Sequence, residues 1–271
     1  MIQIDALKER ARAEGVGLSL VLKEHLHVLI LEYLFKKDAF SHLVFQGGTA
    51  LRLVYGGVRY SEDLDLVLKE KNSPLFGSLA ELLKGLPSYL EKFVLFAGKI
   101  YLKAQKQTPF LSRFSLIVEA EELRALDKTN LEIVNVPSYE NGPALVRHAD
   151  LPGSAPAVRA ESLKEILSDK FCAFGSREYV KGRDIWDIYF LRNSLNVPFD
   201  GKAREMAGKK TEDYGLGPLA FLKGFRKNLT VLEEKGLEIL ELEMSRFLPP
   251  AYQNVFREKY ASVVERVQGE L

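Results

Sequence analysis

Gly47-Gly48-Thr49-Ala50-Leu51-Arg52 followed, beyond a Gly56-Gly57 break, by Arg59-Tyr60-Ser61-Glu62-Asp63-Leu64-Asp65-Leu66 is the stretch on which the reading of this chain turns. A short apolar run, Leu43-Val44-Phe45, leads into Gly47-Gly48 and predicts a strand ending in a tight turn. Residues 49–55 then read as one or two helical turns, stopped at Gly56-Gly57. Glycines let a backbone approach a ligand closely, and the first amides of a helix point outward as anion donors. A polyphosphate fits such a turn, with Thr49 offering a hydroxyl. From Asp63 the sequence alternates, with Leu64, Leu66 and Leu68 on one face and Asp63, Asp65 and Val67 on the other, the pattern of a half-buried strand. Two carboxylates leaving one strand face repel each other without a cation. Magnesium takes a few hard oxygen ligands together with substrate phosphates, so Asp63 and Asp65 are the predicted metal pair.

Outward from this core, two-metal phosphoryl transfer calls for a third acid on another element. Glu132 is the candidate for metal and catalysis, because it projects from the apolar run Asn130–Pro137 while Leu131 and Ile133 point the other way. A charge there is costly unless it lies at an edge or beside a metal or cation. Helices are predicted over 4–13, 17–37 and 75–90, and strands over 93–106, 112–120 and 130–137. The order implies an α+β fold, a mixed sheet covered by helices. The run Leu151-Pro152-Gly153-Ser154-Ala155-Pro156 is the boundary candidate, giving a sheet domain over 1–156 and a helical domain over 157–271. Helices are predicted there over 160–174, 182–193, 201–208, 217–227, 230–246 and 250–268.

The helical part holds a second cluster. Lys170 either holds a nucleotide phosphate or pairs with Asp184 across a helix interface, and Asp184 and Asp187 share a helix face. Arg59 either contacts substrate or buttresses the turn that carries the acids. Arg177, Lys181 and Arg183 form a short basic loop. Each part has a bland reading, as a plain turn, a solvated strand face or a capped helix. The turn leading into the acidic strand is far more specific than either alone.

Bulk properties set the frame. The chain of 271 residues is 46% hydrophobic and 28% charged, an ordinary globular balance. A formal net charge of +1 means that any basic footprint is local. A single cysteine, Cys172, excludes an intramolecular disulfide and a cysteine-rich zinc site. The first residues enter a charged helical pattern without a signal-peptide run, and the apolar stretch Leu26–Phe35 is too short and polar to span a bilayer. A cytoplasmic protein without membrane association is expected.

With these residues in view, Gly47-Gly48-Thr49-Ala50-Leu51 followed by Arg59-x-Ser61-x-Asp63-Leu64-Asp65-Leu66 resembles the AbiEii/AbiGii and MenT nucleotidyltransferases, toxins of AbiE-type (type IV) toxin–antitoxin systems. Lys170 and the run Arg183-Asp184-x-x-Asp187 look like the later motifs of that family. The resemblance implies a polymerase-β-like nucleotidyltransferase core plus a C-terminal helical domain, and transfer of an NMP from an NTP. The implied acceptor is RNA, most concretely the 3′ end of tRNA, with inhibition of translation and growth, and the implied partner is a cognate antitoxin. Carried over by motif, Gly47, Gly48, Thr49, Arg59, Ser61 and Lys170 are the nucleotide-binding candidates. Asp63 and Asp65 bind Mg2+, and Asp184, or Asp187 in its place, serves as the catalytic acid of the helical domain. Two other readings stand beside this one: a nucleotidyltransferase acting on a protein or small-molecule acceptor, and a non-catalytic NTP-binding module.

Overall fold

The structure is a computed structural model that describes residues 2–121, 123, 127–148 and 155–271. Residues 151–154 of the expected linker lie outside the described residues. The chain divides into two compact units, Met1–Glu161 and Ser162–Leu271.

In the first unit, seven strands form one mixed sheet among the described residues: β1 (Leu43–Gln46), β2 (Asp63–Leu68), β3 (Lys99–Gln107), β4 (Leu111–Glu119), β5 (Asp127–Pro137), β6 (Asn141–Leu145) and β7 (Ala157–Glu161). Their order is β3-β4-β5-β2-β1-β7-β6. The β2–β5 and β1–β7 pairs are parallel and the others antiparallel. Sequence periodicity misses β6 and β7, and the expected helix over 160–174 begins only at Leu163 because residues 157–161 pair with the sheet. Both strands are short and weakly apolar, and β6 carries Pro143, which a sheet tolerates at its edge.

Helices α1 (Ile4–Glu14), α2 (Leu18–Lys36) and α3 (Gly47–Leu53) accompany the sheet. The helix expected over 75–90 is divided into α4 (Leu79–Leu83) and α5 (Leu86–Leu90), because Gly85 and Pro87 start a new helix rather than continue the old one. Along α2 the expected apolar face becomes burial all round: every residue from Leu20 to Leu34 except Glu32 is buried. Its charges are therefore matched inside. Lys23 Nζ lies 3.0 Å from Glu62 Oε1 and Arg10 Nη2 lies 2.6 Å from Glu24 Oε1, with Arg52 on the other Glu24 oxygen.

The same burial makes this unit sensitive to acid. Burial pushes the imidazoles of His25 and His27 down to about 4. In the unfolded chain they titrate near ~6.5. Between these values the unfolded state binds more protons than the folded one, so stability falls as pH falls through the window. Two such sites give a slope of about 3 kcal/mol per pH unit. Burial alone would raise the Glu24 carboxyl, but hydrogen bonds from His148 and Arg52 and the charges of Arg52 and Arg10 hold it well below the usual range. Its contribution is present above the unfolded carboxylate pKa and is lost as pH drops below it, which steepens the decline. Urea unfolding at pH 7.5, 6 and 5 is expected to show a falling midpoint, and a flat midpoint across that range would contradict this account.

The second unit is helical in its described residues: α6 (Leu163–Ser176), α7 (Gly182–Tyr189), α8 (Gly201–Asp213), α9 (Pro218–Phe247), α10 (Pro250–Phe256) and α11 (Tyr260–Glu270). The Ser162 side chain accepts a hydrogen bond from the Glu165 amide and caps α6. Two expected helices, over 217–227 and 230–246, are the single 30-residue α9. Asn228, in the gap between the two expected helices, donates Nδ2 to the carbonyls of Phe174 (2.6 Å) and Arg177 (2.9 Å), meeting acceptors that the end of α6 leaves open. Gly182 lets α7 lie against α9, where a Cβ would stand 2.6 Å from the Ile239 carbonyl oxygen. No helix among the described residues is long and apolar enough to cross a membrane.

Candidate active site

The acidic pair opens β2. Leu64 and Leu66 are fully buried on one face, while Asp63 and Asp65 are half-buried on the other. The alternation read from the sequence thus fixes the direction of both carboxylates. Gly47 sits directly over this face with φ +77°, a conformation that L side chains rarely adopt. A Cβ there would stand 2.8 Å from Asp65 Oδ2, so only glycine fits this close to the carboxylate.

Neighbouring strands set the rest of the surface. In the parallel β2–β5 ladder Asp63 is opposite Asn130 and Asp65 opposite Glu132. Asn130 Nδ2 donates to Asp63 Oδ1 at 2.9 Å, and Ser115 Oγ donates to Asn130 Oδ1 at 2.8 Å. This chain orients one Asp63 oxygen and leaves its second outside the Asn130 bond. Glu132 reaches a cation: Arg113 Nε lies 2.8 Å from Glu132 Oε1. Asp63 and Asp65 offer the oxygen ligands that a small hard cation such as Mg2+ takes, whereas Glu132 is engaged by Arg113 and does not converge with them into a three-carboxylate cluster among the described residues.

Several nucleotide candidates face inward. Thr49 is 2% exposed, and its hydroxyl donates to the Asp63 carbonyl, tying α3 to the start of β2 rather than facing a phosphate. Of the two readings of Arg59, the geometry matches the buttress. The residue is 5% exposed, its guanidinium packs against Gly48, and it donates to the Tyr60 carbonyl at 3.1 Å. Ser61 is buried just ahead of β2.

Sequence reasoning passed over Glu24 and Arg52, which hold the motif in place. Arg52 pairs with Glu24 of α2, donates to the Val58 carbonyl at 2.9 Å and lies 3.6 Å from the centroid of the Tyr60 ring. It also passed over Asn130, Ser115 and Arg113. Only strand register identifies these, and no local spacing signals it.

In the second unit, Lys170 Nζ lies 3.3 Å from Asp184 Oδ1 and 2.7 Å from Asp187 Oδ2. Arg177 Nη1 lies 2.5 Å from the other Asp184 oxygen. Both aspartates are buried, so the pairing reading of Lys170 is the one this geometry displays, and it involves both acids. Arg183 sits over the Phe247 ring at 4.9 Å, with its amide bonded to Glu243. Burial, with Arg177 and Arg183 nearby, lowers the Lys181 pKa.

A sequence model described as the nucleotidyl transferase AbiEii toxin of type IV toxin–antitoxin systems matches residues 29–267. The chain belongs to the AbiEii family. The matched span contains the Gly47-Gly48 turn, the acidic strand and the Lys170–Asp187 segment. A crystal structure of a candidate nucleotidyltransferase from H. pylori is similar with a TM-score of 0.55 and 19% identity, over 94% of this chain and 97% of that chain. The crystal structure of JHP933 from Helicobacter pylori also matches, with a TM-score of 0.49 and 19% identity over 94% and 98% of the two chains. At this identity the first likeness speaks for the shared fold. No curated protein is detectably similar to the chain.

Proposed function

We propose that this AbiEii-family chain is a magnesium-dependent nucleotidyltransferase toxin that moves an NMP from an NTP to an RNA acceptor, most concretely the 3′ end of tRNA. The observation that carries the reading is the Asp63–Asp65 pair on one strand face beneath a positive-φ glycine. In the reaction the acceptor hydroxyl oxygen forms a bond to the α-phosphorus, the bond to the bridging oxygen of the β-phosphate breaks, and pyrophosphate leaves. Asp63 and Asp65 would hold Mg2+, which when bound supplies neutralisation of the charge that develops on the phosphates. Asn130 keeps Asp63 oriented for that task. Gly47 brings the triphosphate close to the backbone, while Gly48, packed under Arg59, enters through the family resemblance. Glu132, in register beside Asp65, is the group assigned to take the acceptor proton, with Arg113 setting its position.

Lys170 and Asp184 enter through the family resemblance, Lys170 as a phosphate contact and Asp184 as a catalytic acid, with Asp187 as its alternative. Such a role requires Lys170 to exchange a carboxylate partner for a phosphate. Membership of a type IV toxin–antitoxin family also implies an antitoxin partner.

The test is a transfer assay with purified protein, Mg2+, each of the four α-labelled NTPs and total tRNA. Label in tRNA that disappears on chelation is the expected result and names the donor. Label that enters protein or a small acceptor and never RNA would overturn the RNA assignment, and NTP binding without pyrophosphate release for any acceptor would overturn transfer itself.

A further inference from the structure

We infer that the carboxylate face of the sheet is a track for the single-stranded 3′ end of an RNA acceptor, held by Lys128, Lys103 and Lys106. The inference rests on the RNA acceptor proposed above and assigns the surface along which that strand lies.

Partners in a sheet ladder share a face. One row runs from Asp65 in β2 through Glu132 in β5 and Arg113 in β4 to Lys106 in β3. The next runs from Asp63 through Asn130 and Ser115 to Lys103. A third joins Lys128, Ile117 and Tyr101. The opposite face is apolar and buried, with Ile100, Phe114, Leu116, Val118, Leu131 and Ile133.

Lys106 reaches the acid face only through an irregularity. Strict alternation from Lys103 sends position 106 to the apolar face. The ladder shifts between Ala104 and Lys106, leaving Gln105 as the extra residue and bringing Lys106 opposite Arg113. A bulge of this kind re-aims a side chain, here onto the face that carries the carboxylates.

The acids of this face beyond β2 are already matched. Glu132 meets Arg113, while Glu119 accepts a hydrogen bond from the Tyr101 hydroxyl and lies opposite Lys99. Lys103, Lys106 and Lys128 are exposed and make no ion pair with a described residue. In a chain of formal net charge +1 this is a local cationic surface, and it ends at the acids assigned to the metal. Strand β3 lies three places from β2, about 14 Å away at ordinary strand spacing. That is about the rise of four stacked nucleotides, fewer if the strand is extended. Tyr101, between Lys99 and Lys103 on this face, carries the Lys99 ammonium 5.0 Å from its ring centroid, which adds a further cation to the row.

The experiment compares full-length wild type with the triple variant Lys103→Ala/Lys106→Ala/Lys128→Ala, its Lys→Arg counterpart, and Asp65→Ala. The probes are a short fluorescein-labelled single-stranded RNA with a free 3′ hydroxyl and total tRNA. The alanine variant is expected to lose RNA affinity on the order of tenfold or more near ~0.1 M salt, and the slope of log K against log salt should fall by about 2. The arginine variant should keep both, Asp65→Ala should lose transfer of label to RNA, and the KM for NTP should be the same in wild type and alanine variant. If the alanine variant binds RNA with unchanged affinity and salt slope while wild type still labels RNA, the track is wrong and the proposed transfer stands. If wild type binds neither RNA and labels protein instead, both the track and the RNA acceptor are wrong.

Discussion

Asp65→Ala is expected to lower kcat for nucleotidyl transfer by on the order of 1,000-fold or more while the protein stays folded, with Asp63→Ala close behind. This chemistry depends on positioning and charge neutralisation, so losing half of a carboxylate pair removes stabilisation that nothing else on the strand supplies. The fold persists because β2 is anchored from its other face, where Leu64, Leu66 and Leu68 are fully buried, and because Asp65 is only half-buried. The thermal midpoint should stay within about 3 °C of wild type. Glu132→Ala should cost less, since its carboxylate already rests on Arg113. Turnover by Asp65→Ala within tenfold of wild type would remove the pair from the chemistry.

The second large effect concerns stability. Lys210 is fully buried, with Nζ 2.8 Å from Glu165 and 3.2 Å from Asp169, and Glu165 is equally buried. A buried pair contributes little over an apolar substitute, but removing one partner strands the other charge out of water at a cost of about 3–5 kcal/mol. Lys210→Ala is therefore expected to lower the melting temperature of the helical unit by roughly 10–20 °C. Lys210→Met combined with Glu165→Gln should recover part of the loss, since no full charge then remains at that pair. A single alanine variant that melts with wild type would show that the contact is worth little here.

Local order alone determined a good deal of this protein. The alternation from Asp63 to Leu68 sets both the strand and the shared direction of its acids, because side chains in a strand leave on alternate faces whatever packs beside them. The glycine pair was legible as a point of close approach, although the helix expected over 49–55 starts at Gly47 itself and ends at Leu53. The α+β class and the family motif followed from the same short segments, and the family match covers them.

Only the tertiary structure decided which groups meet those acids. Asn130, Ser115 and Arg113 come to the site through strand register, a relation between distant segments that no spacing encodes. Thr49 and Arg59 turned inward because a buried backbone carbonyl and a packed glycine are where their side chains fit. Lys170 met both Asp184 and Asp187, whose burial demands a cation. Lys106 changed faces by a single inserted residue. Periodicity gives each side chain a direction, but pairing and burial choose its partner, and those energies are set by segments far apart in the chain.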